Sequence, residues 1–169
     1  MGITHATAYR RWLRMLAESD DVDFDPWLPD PELQTWLLDA FRGNGELPTA
    51  FLAPLVLTRR TSLVRSAVAS LQRELQADGQ PAADVVVAVY DPTEHHPMGK
   101  VSVEGQPVQA LDLPGVLTET AEGFQCFVAD PVRLVWPTCS LHRLGVHPRL
   151  VSGTASWTCS AGHVLRAIG

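Results

Sequence analysis

With 169 residues, 46 % of them apolar, and a mean hydropathy near zero, the chain can form one domain, with at most a small appendage, and is not of the disordered class. No apolar run reaches the length of a bilayer span. A net charge of −6 argues against general nucleic-acid binding, although the acids crowd into Glu18–Asp25 and arginines prevail after Asp130.

The first residues, Met1-Gly2-Ile3-Thr4, lack a basic stretch followed by an apolar core, so no signal peptide is expected. Ala6 stands where a myristoylated Gly2 would need Ser or Thr. A first helix is predicted from about Thr4 to Ala17, since Tyr9, Trp12, Leu13 and Leu16 share one face at helical spacing. The acidic run that follows, with Pro26 and Pro29, ends it, and Phe24, Trp27 and Leu28 are expected to pack that loop on the body. Asp30, Pro31 and Glu32 form a helix start for a second helix whose apolar face is Leu33, Trp36, Leu37 and Phe41, closed by Gly43 and Gly45. Glu46 to Leu57, carrying Pro48 and Pro54, reads as a short or broken helix. Thr58 to Ala77 reads as the strongest helix, with Val64, Ala67, Val68, Leu71 and Leu75 inward and Arg59, Arg60, Arg65, Arg73 and Glu74 on the polar side. A helix-turn-helix reader of DNA is disfavoured, because acids outnumber arginines over residues 1–78.

From Pro81 the composition turns to β-branched residues. Asp84 to Tyr90 reads as a strand covered on both faces. Val101–Val103 and Val108–Leu111 flank Glu104-Gly105-Gln106-Pro107 as a hairpin. Phe124–Val128 and Val132–Trp136 read as two further strands, which makes Cys126 a buried strand thiol. Helices first and strands later give an α+β fold. Its body has a helical portion over residues 1–80 and a β-rich portion over residues 81–136, and a separate unit follows at 137–169.

That last unit holds the most specific chemistry. Cys139 and His142 form a C-x2-H pair, and after a sixteen-residue spacer Cys159 and His163 form a C-x3-H pair. Two short pairs of soft or borderline ligands suit tetrahedral structural zinc, and two thiolates with two neutral imidazoles would neutralise Zn²⁺. His147 is a rival to His142, but it precedes Pro148, which favours an extended chain over a tight knuckle. Arg149–Val151 and Thr154–Trp157 read as strands around a Ser152-Gly153 turn, with a third strand over Val164–Ile168. Gly145 and Gly162 stand where each knuckle must turn. The order knuckle, strand, turn, strand, knuckle, strand resembles the zinc-ribbon group over residues 139–169. It departs from the common ribbon in having His at the second place of each pair and one extra residue in the second. The resemblance implies a structural metal and often a surface for protein or nucleic acid; it implies no reaction.

Elsewhere the reactive residue types gather in Asp91–Lys100, with Glu94, His95 and His96, and a solvated turn is the expectation there. Lys100 is the sole lysine, and with much Ala, Leu and Val the composition fits a GC-rich bacterial genome. Three cysteines, an odd number, fit a reducing cytoplasm better than a disulfide framework. No zinc-deaminase, H-E-x-x-H, G-x-S-x-G or phosphate-loop pattern occurs. The expectation is therefore a small cytoplasmic, non-catalytic adaptor that binds another protein and carries one structural Zn²⁺. The alternatives are an enzyme using an open zinc site or the Asp91–Lys100 loop, and nucleic-acid binding through Arg143, Arg149 and Trp157.

Overall fold

The computed structural model of the protein describes residues 3–18, 23, 30–129 and 134–169. The loop residues Phe24, Trp27 and Leu28, and residues 132–133 of the expected strand at Val132–Trp136, lie outside the described residues. The fold is α+β: helices α1 (Ile3–Ala17), α2 (Pro31–Asn44) and α3 (Thr49–Ala77), then strands β1 (Val87–Tyr90), β2 (Lys100–Val103) and β3 (Gln106–Val108). Helix α4 (Leu113–Ala129) and strands β4 (Val146–Val151), β5 (Thr154–Cys159) and β6 (Val164–Ala167) follow. The strands form two antiparallel three-stranded sheets, ordered β1-β2-β3 and β4-β5-β6. Among the described residues, no helix is long and apolar enough to cross a membrane.

The first layer is helical. Trp12, Leu13 and Leu16 of α1 meet Leu33, Leu37 and Phe41 of α2 in one buried cluster. Asp30 starts α2 by accepting the Glu32 amide at 2.9 Å and the Leu33 amide at 3.2 Å, satisfying two of the donors every helix start leaves open. Gly43 lies inside α2, and Gly45, at φ 73°, follows its end. The expected break before Thr58 does not occur: α3 is one helix from Thr49 to Ala77 with Pro54 inside it. Pro54 forfeits one backbone bond, but Leu52, Ala53 and Val56 are fully buried on the α1–α2 cluster, and that burial outweighs it. Arg60 is also not on a polar side. It is buried, donating to the Gln109 carbonyl at 3.0 Å and to Gly99 at 3.5 Å, and so ties α3 to the loops bounding the first sheet.

The second layer packs α3 and α4 on sheet β1-β2-β3 through Val64, Val101, Val103 and Val116. Glu104 and Gly105, both at positive φ, make the two-residue turn between β2 and β3. Beyond β3, Ala110 bridges to Asp23 rather than extending a strand to Leu111. β1 is shorter than expected and is an edge strand, half-buried at Val87 and Ala88 and exposed at Val89 and Tyr90, so it is not covered on both faces.

The largest correction is at Phe124–Val128, which lies in helix α4 rather than in a strand. Val116, Thr120, Phe124 and Val128 are buried at helical spacing, and Asp112 receives the Gly115 amide at 2.6 Å at the helix start. Cys126 is therefore an exposed helix residue, on the face opposite the buried stripe. Residues 134–136 form no strand either.

Candidate metal centre

Two knuckles, each locked by its own backbone, present the Cys/His pairs. In the first, the Cys139 amide donates to Leu144 at 2.8 Å and the Arg143 amide donates to Cys139 at 2.7 Å. In the second, the Cys159 amide donates to His163 at 3.0 Å and the Gly162 amide to Cys159 at 2.8 Å. Each turn needs one left-handed residue. Gly162, at φ 81°, supplies it in the second knuckle as expected. In the first knuckle Arg143, at φ 54°, takes that role, and Gly145 does not.

The hairpin β4–β5 returns the chain so that the two knuckles face each other, with Val146 opposite Cys159. The expected strands Arg149–Val151 and Thr154–Trp157 are the inner portions of that hairpin, and Val164–Ala167 is its third strand. Cys139 and Cys159 are buried, His163 is half-buried and His142 is exposed. The Cys139 Sγ lies 3.4 Å from the His142 Nδ1 and 3.2 Å from the His163 Nδ1, and the Cys159 Sγ lies 3.4 Å from the His142 Nδ1. All four potential ligand atoms lie within 4.8 Å of one another, close enough to hold one metal ion. A tetrahedron with bonds of about 2.3 Å to sulfur and about 2.0 Å to nitrogen has S···N edges of about 3.5 Å, near the three short S···N distances of this group. His147 is not in the cluster: it sits exposed on β4 opposite Thr158.

The centre is anchored to α3 by groups the sequence reading does not single out. Trp157 is fully buried and donates its Nε1–H to Glu74 at 3.1 Å; Trp136 donates to Asp78 at 2.9 Å. The two indoles pack edge to face at 5.4 Å. Arg166 of β6 reaches the same two acids, Asp78 at 2.8 Å and Glu74 at 3.4 Å. The Arg166 hydrogen bond, with help from Trp136, holds the Asp78 carboxyl below the usual Asp range against a smaller opposing effect of burial. Gln125 of α4 donates to the Trp136 carbonyl at 2.9 Å and the Val146 carbonyl at 2.6 Å, fixing the entry to the first knuckle. Leu71, Leu75, Phe124, Trp136, Trp157, Cys139 and Cys159 share one buried cluster. Only the alternation of Thr154–Cys159 and the indoles themselves hint at these contacts; Asp78 and Arg166 are 88 residues apart.

Of the nucleic-acid candidates, Arg143 and Arg149 are exposed, but Trp157 has no free face on which a base could stack. Through most of Asp91–Lys100 the residues are exposed, with Glu94, His95 and His96 at the surface and only Met98 and Gly99 buried, and the Thr93 hydroxyl receives the His96 amide at 3.1 Å. No family model, curated protein or solved structure matches this chain.

Proposed function

We propose that the protein is a small, non-catalytic interaction protein whose C-terminal unit is held by one structural Zn²⁺ on Cys139, His142, Cys159 and His163. The observation that carries this reading is the meeting of two thiols and two imidazoles within 4.8 Å of one another, with both sulfurs buried. Four protein ligands leave no position for a metal-bound water, which favours a structural over a catalytic centre. Two thiolates cancel the charge of the ion, so the centre can be buried at no net charge. The arrangement resembles the zinc-ribbon group in its order of knuckles and strands. The reading requires free thiols and hence a reducing compartment such as the cytoplasm.

The test is a pair of cysteine variants of tag-free protein. Cys159→Ser is expected to fall from one zinc per chain to none, because a hydroxyl replaces a thiolate ligand. Cys126→Ser is expected to keep its full zinc content, since Cys126 is exposed on α4, outside the cluster. Metal lost from Cys126→Ser, or retained in full by Cys159→Ser, contradicts the assignment.

A further inference from the structure

The two sheets have four edges, and three of them are guarded. β3 carries Pro107 and β4 carries Pro148; β6 carries Arg166 and faces a register shift at Trp157/Thr158. Proline, charge and irregularity are the devices that stop a strand edge from pairing with another chain. β1, Val87-Ala88-Val89-Tyr90, has none of them. Along this edge Val86, Val89 and Tyr90 are 59 %, 41 % and 53 % exposed.

The register says which of its backbone groups are open. The Glu104 amide donates to the Val86 carbonyl at 3.0 Å, so residues 86, 88 and 90 point their backbone toward β2. Val87 and Val89 then point theirs outward, and among the described residues nothing meets them. Beneath this edge a groove of about 540 Å³ runs between β1 and α3, with Leu57, Thr61, Arg65 and Val89 on its walls. An added strand would hydrogen-bond to Val87 and Val89 and lower every second side chain into that groove.

Charge selects the occupant. Residues 49–73 of α3 contain no acid, and the helix's one acid, Glu74, is engaged by Trp157 and Arg166. Arg65 is exposed in the groove and makes no ion pair among the described residues. A second copy paired across β1 would set one acid-free helix flank against another, whereas an acidic segment would neutralise Arg65.

We propose that β1 and the adjoining flank of α3 dock an extended, acidic segment of a partner protein, which adds as a fourth strand and places a carboxylate on Arg65. This rests on the reading of the chain as an interaction protein and names the surface and the chemistry of the partner; it does not involve the metal centre.

The test uses full-length protein whose zinc content is measured in parallel. An immobilised library of eight-residue peptides alternates Val, Ile, Leu or Phe with Asp, Glu, Lys, Ser or Thr. Binding is expected to select Asp and Glu at the polar positions. One selected peptide should shift the Val87 and Val89 amide resonances and protect them from exchange. Arg65→Glu should weaken that peptide about tenfold or more and turn the selection toward Lys. Val87→Pro removes an outward N–H that the native sheet does not use, and should abolish binding with the sheet intact. Should that variant lose its fold, Arg65→Glu, at an exposed helix position, still decides. No selection, lysine-rich selection, shifts that avoid β1, or occupation of β1 by a second copy of the chain would each overturn the proposal. Absence of zinc with normal peptide selection would instead count against the metal reading alone.

Discussion

At the scale of single residues, Glu119 shows how a buried carboxylate works as a fold element. Its Oε2 accepts the Gln109 amide at 2.7 Å and the Ala110 amide at 3.0 Å, ending β3 in place of a neighbouring strand. Burial raises its carboxyl above the ordinary value of 4.5, partly offset by those two bonds. A raised acid holds its proton more tightly folded than unfolded. Its contribution is thus complete below the unfolded value and is lost as pH rises through the folded one. Glu119→Gln keeps an acceptor oxygen and removes the titration. The stability of the native chain relative to this variant should therefore fall as pH rises from about 4 toward neutrality. Chemical denaturation across that range checks it; a difference that grows with pH contradicts it. Asp78 has the opposite sign: its lowered carboxyl contributes above the unfolded value, and the contribution fades as acid takes pH down through the folded one. What is most legible in sequence is grouping by short spacing, as in Cys139, His142, Cys159 and His163, which do lie together. Least legible are the roles of Arg60 and Glu74, whose partners lie far along the chain.

At the scale of elements, periodicity marks α1, capping and periodicity mark α2, and the Ser152-Gly153 turn marks the β4–β5 hairpin. Sequence misleads where a short apolar run is read without its flanks. Phe124–Val128 looks β-like alone, but Asp112 as cap, Pro114 in the first turn and the stripe from Val116 onward mark a helix. At α3, a proline in the second turn suggests a break that burial of Leu52 and Val56 overrides. Gly123 explains how closely α4 can lie on the first sheet. A Cβ there would stand 2.6 Å from the Val103 carbonyl oxygen and 3.0 Å from the Val103 side chain. Backbone cannot yield as a flexible side chain does, so Gly123→Ala should destabilise the protein by about 1–3 kcal/mol despite the better helix propensity of Ala. Thermal or urea denaturation reads this, and a stabilised variant would show that α4 does not pack this closely.

At the scale of the whole molecule, the C-terminal unit and the helices meet through one cluster, with Trp136 and Trp157 against Leu71, Leu75 and Phe124. A unit of about thirty residues buries too little surface to fold unaided, so most of its order would come from metal binding. The helical cluster around Trp12, Leu37 and Leu52 has no share in that centre. Removing the metal should therefore abolish the near-ultraviolet signal of the packed indoles while far-ultraviolet helical dichroism largely persists. Loss of both together would mean that the metal holds a single cooperative core. This coupling is hidden in the sequence because the contacts between α3 and the final strands join the middle of the chain to its last residues.

The central claim, a structural zinc held by two thiolates and two imidazoles, is tested most directly by X-ray absorption at the zinc edge on tag-free protein purified without chelators. The account predicts one zinc per chain with two sulfur neighbours at about 2.3 Å and two nitrogen neighbours at about 2.0 Å. No zinc, or a first shell in which water oxygen replaces one of the four protein ligands, would contradict it.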